Sequence, residues 1–301
     1  MASAEGRIIA ALRDAGWTVA TRPFSVTGAA GYLDLGTHRD GQFGPTVYAE
    51  LNGQNVVAVK EGRRPDAVVI AAHHDTIRDS PGADDNTASV AALLELARLT
   101  AGVHYEFTVM LVAFDMEEIG FHGSRAFLRE QIDGRSVRAA IIFESMAYTS
   151  ENPNSQMLPR GFGLLYRKQA EQIRRRRRAG DWAALLYRAP SARLAATFAA
   201  CLEATKGPDS SVLLRDPADL PYAGALLRRF LPFARDFGRS DHLAFWEREL
   251  PAVLITDTAD FRNPHYHERT DTADTLDFKH LRALVAATIL TLDRVAQRSP
   301  A

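Results

Sequence analysis

Four short apolar runs, at residues 67–72, 107–114, 139–143 and 252–256, alternate along the chain with longer stretches whose apolar residues recur at helical spacing. Runs of this length, apolar without period-2 alternation, suit strands covered on both faces, and strands alternating with amphipathic helices predict an α/β fold. The expected architecture is a mixed, mostly parallel central sheet flanked by helices. Helical spacing is found at 1–17, 87–99, 124–131, 192–205, 241–250 and 277–297. Two shorter runs, 46–51 and 55–60, are joined by Asn52-Gly53-Gln54 and predict an antiparallel hairpin at a sheet edge. Residues 149–190 and 207–239 break the alternation with prolines and glycines, and carry no convincing central strand. They are expected to be loop-rich lid or cleft-wall insertions within one α/β domain spanning 1–301.

In open α/β sheets ligands bind beyond the carboxyl ends of the strands, and that is where the polar residues of this chain concentrate. The run 67–72 leads into His73-His74-Asp75 and the turn-rich Pro81-Gly82-Ala83-Asp84-Asp85-Asn86. If the backbone is still extended there, His73 and Asp75 share a side and His74 faces the other. That favours His73 as a metal ligand, with the Asp75 carboxylate accepting a hydrogen bond from its second ring nitrogen. The run 107–114 ends in Asp115-Met116-Glu117-Glu118. One of two adjacent glutamates can coordinate a metal while the other takes a proton from water, although acids also collect at helix N-termini for electrostatic reasons alone. Glu144 closes the third run, and His267 follows the fourth within Asn263-Pro264-His265-Tyr266-His267. Four strand ends thus bring carboxylate or imidazole to one edge, a convergence more informative than any single motif.

Global charge argues for no polyanionic partner, since 36 basic and 37 acidic residues leave a formal charge of −1. No nucleic acid or membrane partner is expected. The run Arg174–Arg178 is expected to be a solvated helix face. The amino-terminal residues lack the uninterrupted apolar segment of a secretory signal, and no stretch approaches the roughly 20 apolar residues of a membrane span. Together with the single Cys201, this leads to the expectation of a cytoplasmic protein.

Taken together, His73-His74-Asp75, Gly82-Ala83-Asp84-Asp85-Asn86, Glu117-Glu118-Ile119-Gly120, Phe143-Glu144-Ser145-Met146, Ser240-Asp241-His242 and Phe261 to His267 leading to Asp271-Thr272 resemble the zinc aminopeptidases with two co-catalytic metals. Relatives of that family include glutamate carboxypeptidases and glutaminyl cyclases. The resemblance implies two zinc ions, with Asp85 bridging them, His73 and Glu144 completing one site, and Glu118 and His267 completing the other. It further implies a cis peptide between Asp85 and Asn86, Glu117 as the base that activates the attacking water, and Tyr266 as a donor to the oxyanion. Nitrogen and carboxylate ligands without cysteine suit zinc. His242 matches a position near the active site and is expected to contribute a polar contact to substrate, whereas His74, His104, His122, His265 and His280 are assigned ordinary roles. The implied activity is removal of amino-terminal residues from a peptide or aminoacyl substrate. A glutaminyl-cyclase-like transferase with one zinc, a carboxypeptidase of the same fold, and a non-catalytic interaction domain are the alternatives.

Overall fold

Side-chain parity along the central strands sets the layers of the molecule. In the computed structural model, described for residues 3–31, 46–220 and 224–299, Val68, Ile70 and Ala72 point into one apolar core while Ala67, Val69 and Ala71 point into the other. Successive residues of a strand face opposite ways, so a strand that is apolar at every position must be covered twice.

In chain order the elements are α1 (Ala4–Asp14), β1 (Thr18–Gly31), β2 (Thr46–Lys60), β3 (Arg64–His73), α2 (Ala88–Leu99), β4 (Phe107–Phe114), α3 (His122–Ala126), β5 (Val137–Glu144), α4 (Phe162–Leu165), α5 (Arg167–Arg175), β6 (Ala183–Tyr187), α6 (Ala192–Lys206), β7 (Ser211–Arg215), α7 (Gly224–Phe230), α8 (His242–Trp246), β8 (Ala252–Thr256) and α9 (Phe278–Val295). The strands form one sheet in the order β1-β2-β4-β3-β5-β8-β6-β7. Pairing is parallel for β4-β3, β3-β5, β5-β8 and β6-β7, and antiparallel elsewhere. Helices α1, α2, α6 and α9 contribute to the first core, and α4, α5 and α8 to the second. The α/β class and its mixed, mostly parallel sheet are as expected.

Two local expectations are overturned. Residues 46–60 form one continuous strand, not a hairpin, and pair along their length with β1, which was not anticipated. Gly53 sits opposite Phe24, and a side chain there would meet the Phe24 ring at 2.5 Å and Asp115 at 3.0 Å. This glycine makes room for a close approach and not for a turn. The segments expected to lack strands contain β6 and β7, whose short runs are masked in the sequence by the prolines and arginines around them. The helix expected over 241–250 is confined to α8, and Pro221, counted among the loop-forming prolines, lies outside the described residues, as does Met1.

β7 is an edge strand, and α5 is laid against it. Gln172 and Gln169 donate from Nε2 to the Ser211 and Leu213 carbonyl oxygens at 3.0 Å each, and the Tyr166 hydroxyl donates to the Arg215 carbonyl oxygen. Alternate carbonyls of the exposed edge are thereby occupied, which blocks pairing with another chain. Replacing both Gln169 and Gln172 with Ala should cost about 1–3 kcal/mol despite the gain in helix propensity. Urea melts should show the loss, and light scattering on mild heating should show faster aggregation than for the unaltered protein.

Candidate active site

The parallel strands β4, β3, β5 and β8 end side by side, and their loops build the site. His73 is the last residue of β3 and Glu144 the last of β5, so both are fixed by the ladder itself. His73 Nε2 lies 3.2 Å from Asp85 Oδ1 and 3.2 Å from Glu144 Oε2. Across the same aspartate, His267 Nε2 lies 2.9 Å from Asp85 Oδ2 and 3.3 Å from Glu118 Oε2. Asp85 therefore faces one imidazole with each oxygen. The five residues expected as ligands are brought together, and Glu117 joins His73 and Glu144 with its ligand atoms within 4.8 Å of theirs.

Asp85 reaches this position through a tightly held loop. Gly82 adopts φ +63°, and a side chain on it would meet Thr76 and the Asp85 carbonyl at 2.6 and 2.7 Å. The Asp271 carboxylate accepts the backbone N–H groups of Asp84 and Asp85 at 2.9 and 3.2 Å. Asp84 in turn accepts from Ala147 N and Asn263 Nδ2 at 2.8 Å each, while Asn86 Nδ2 donates to the Phe143 carbonyl at 3.0 Å. The Asp85-Asn86 peptide is cis, as the resemblance implied.

The turn that carries Glu117 and Glu118 is gripped from two sides. Asp75 accepts the Glu117 and Glu118 N–H groups at 3.1 and 3.2 Å. On the other side Asp115 accepts from Gln54 N at 2.9 Å, and Asn55 bridges Asp115 N and the Gly123 carbonyl. Met116 and Ile119 pack with Phe24 in a small separate cluster, which fastens the turn to the β1-β2 arm. Met116 and His267 both hold left-handed backbone, with φ of +57° and +58°. Conformations of this kind persist where surrounding contacts over-determine them.

The expected geometry of Asp75 changes in one respect. The nearer partner of His73 Nδ1 is the Asp75 backbone carbonyl at 3.0 Å, with the carboxylate oxygen at 3.4 Å. The carboxylate accepts from the glutamate turn, and so joins that turn to His73 through one residue. Tyr266 is buried, with its ring stacked on His267 at 3.9 Å. His242 is displaced from the role expected for it. Its ring is wholly buried, with Nε2 2.7 Å from the Phe237 carbonyl and its plane edge-on to Trp246 at 4.4 Å, so it offers no surface to a substrate. Ser240 and Asp271 were missed as contributors. Ser240 donates to Glu144 Oε2 at 2.8 Å, and the Ser-Asp-His motif was the signal that pointed to it.

Charge decides what this pocket can hold. Burial raises the Glu117 carboxyl well above the usual range, with Glu144, Glu118 and Asp241 adding repulsion. Burial and the neighbouring Asp85 push Glu118 up to about 7. Burial disfavours the charged imidazoles, yet the carboxylates outweigh it, raising His73 and bringing His267 to about 10. His73 Nε2, both Asp85 oxygens and Glu118 Oε1 are buried with no hydrogen-bond partner. Converging, hydrogen-bond-poor nitrogen and carboxylate donors of this kind fit a divalent metal such as zinc.

Burial also depresses His242 to about 4. A histidine held neutral in the fold stabilises it above the unfolded pKa of about 6.5, and that contribution is lost as pH falls toward 4. In metal-free protein, His242→Phe should therefore flatten the pH dependence of unfolding free energy between pH 6.5 and 4, by up to about 1.4 kcal/mol per pH unit. Paired denaturant melts of the variant and the unaltered protein across this range measure the difference in slope.

Among the described residues no helix is long and apolar enough to cross a membrane. A model of peptidase family M28 matches residues 55–179 and 201–292. The uncharacterized Escherichia coli K12 protein YfbL is 31% identical over 252 residues, 79% of this chain and 70% of that protein. The Bacillus subtilis aminopeptidase YwaD is 29% identical over 114 residues, covering 36% of this chain and a quarter (25%) of its own length. The solved structure of a zinc aminopeptidase from Bacillus subtilis superposes with a TM-score of 0.62 over 98% of this chain and 90% of its own, at 14% identity, a likeness of fold. From the extent of the family match and the similarity to YfbL, this chain belongs to peptidase family M28 and is a metallopeptidase.

Proposed function

We propose that the chain is a zinc aminopeptidase that hydrolyses the first peptide bond of a substrate with a free α-amine. The observation that carries this reading is the placement of Asp85 between His73 and His267, with Glu118 and Glu144 completing two overlapping sets of donors and Glu117 beside them. His73, Asp85 and Glu144 would hold one zinc ion, and Asp85, Glu118 and His267 the other. Bound there, the ions would supply Lewis acidity, which polarises a carbonyl and makes water acidic enough to lose a proton near neutral pH.

The protein's own groups do the remaining work. Glu117 takes a proton from the attacking water and returns it to the leaving amine, a task suited to a buried carboxylate with a raised pKa. Asp75 fixes the glutamate backbone on which this proton transfer depends. Ser240 and Ser145 donate to the two oxygens of Glu144 and set its orientation. Tyr266, stacked beside His267, donates to the carbonyl oxygen as negative charge develops there. Arg239 at the neighbouring rim is paired with Asp260 at 3.1 Å and Asp236 at 3.8 Å, which leaves it poorly placed to receive a terminal carboxylate. This favours aminopeptidase over carboxypeptidase action.

Glu117→Gln should retain both zinc ions and lose hydrolysis by roughly 10²–10⁴-fold, measured by metal analysis and turnover of aminoacyl and N-blocked peptides. Retained activity, or cleavage confined to blocked peptides, would sink the proposal. One zinc per chain with cyclisation of amino-terminal glutamine would establish the transferase alternative instead.

A further inference from the structure

The strand end that supplies His73 supplies a second imidazole to the opposite side. His74 N–H donates to the Phe114 carbonyl at 2.8 Å, so the backbone is still in ladder register with β4, and successive residues there face opposite ways. His74 comes together with Glu5, from the first turn of α1, and Asp115, which follows β4. All three are half-buried, and one potential ligand atom from each lies within 4.8 Å of the others. None of them belongs to the donor sets around Asp85. We infer that Glu5, His74 and Asp115 hold a further zinc ion, which ties the amino-terminal helix to the turn carrying Glu117 and Glu118. This site is separate from the proposed catalytic centre and does not depend on how many ions are held there.

One residue of β2 holds all three donors. Gln54 N donates to Asp115 Oδ2 at 2.9 Å, Gln54 Nε2 donates to Glu5 Oε2 at 3.2 Å, and the Gln54 carbonyl lies 3.2 Å from His74 Nε2. A carbonyl only accepts, so His74 carries its proton on Nε2, and the neutral ring keeps the Nδ1 lone pair for a metal. Metal-ligating histidines are fixed in this way, by donating the other ring N–H to a backbone carbonyl or a carboxylate. Asp115 Oδ1 also accepts from Met116 N at 2.9 Å. A carboxylate oxygen that accepts one hydrogen bond retains a second lone pair, so these bonds orient the donors without exhausting them. Gly53, next in the strand, has no side chain to keep Asp115 away.

Donor chemistry selects the ion. An imidazole nitrogen with two carboxylates and no thiolate suits zinc, whereas calcium and magnesium take oxygen ligands. Two carboxylates beside a neutral imidazole carry two negative charges, which one divalent cation balances. Position gives the site its consequence. Asp115 opens the turn that presents Glu117 and Glu118, and Glu5 sits on a helix whose Ile8 and Leu12 are buried in the first core. An ion here joins α1 to the ends of β3 and β4 and stiffens the turn from outside.

The test is zinc stoichiometry and affinity of the full chain, stripped with a chelator, titrated calorimetrically with zinc alone and analysed for metal after dialysis. Glu5→Gln should bind one zinc fewer than the unaltered protein, and His74→Gln should lose the same equivalent. Gln54→Ala keeps both backbone contacts and releases only Glu5, so affinity at this site should fall by about 10–100-fold. His73→Ala/His267→Ala, which removes both imidazoles from the cluster around Asp85, should keep the equivalent that Glu5→Gln loses. If that double variant does not fold, the Glu5→Gln comparison decides alone. Without zinc, Glu5→Gln and the unaltered protein should melt together, whereas saturating zinc should raise the midpoint further for the unaltered protein. Equal stoichiometry and affinity in Glu5→Gln and the unaltered protein overturns the inference, whatever the count around Asp85. Loss of one zinc in Glu5→Gln, with no cleavage of any free-amine substrate by the unaltered protein, sinks the aminopeptidase reading and leaves this site standing.

Discussion

The interaction on which the rest of the structure depends is the mutual repulsion of buried carboxylates around Asp85. Asp85, Glu117, Glu118 and Glu144 are withdrawn from water within reach of two imidazoles. Such a set survives in a fold only if positive charge is supplied to it. The same carboxylates push His73 and His267 upward despite burial, favouring their charged forms. A bound divalent metal would supply positive charge more effectively and would need the imidazoles neutral, so its binding would be linked to their deprotonation.

Holding the repelling groups in place requires a scaffold that does not yield. Strand ladders position His73 and Glu144 directly, and side-chain acceptance of backbone N–H groups by Asp75, Asp84 and Asp271 immobilises the loops that carry the others. These are charge-assisted bonds to fixed donors, stronger than neutral ones. The long β1-β2 arm joins in through Asn55, Gln54 and the Phe24 cluster, so an edge of the sheet remote in sequence becomes a brace for the Glu117-Glu118 turn.

Much of the architecture was legible without coordinates. The runs at 67–72, 107–114, 139–143 and 252–256 are strands because continuous burial demands continuous apolarity, and that pattern is local. β6 and β7 escaped notice because each is short and set among arginines and prolines, and Asn52-Gly53-Gln54 mimicked a turn. Gly53 serves instead to admit Phe24, which lies opposite it on β1. His242 misled for a similar reason: a histidine beside a motif looks functional until its ring is seen packed on Trp246 and bonded to Phe237.

The sequence by itself determined the chemical types at the strand ends: imidazoles and carboxylates where an α/β sheet presents its ligands, with two adjacent glutamates available for different tasks. These are properties of residue identity and periodicity, readable one segment at a time. Only the tertiary structure decided that Asp85 faces both imidazoles and that Asp75 serves the glutamate turn as well as His73. Each of these depends on groups distant in the chain meeting within a few ångströms, and hydrogen-bond satisfaction is a property of that meeting rather than of any residue alone.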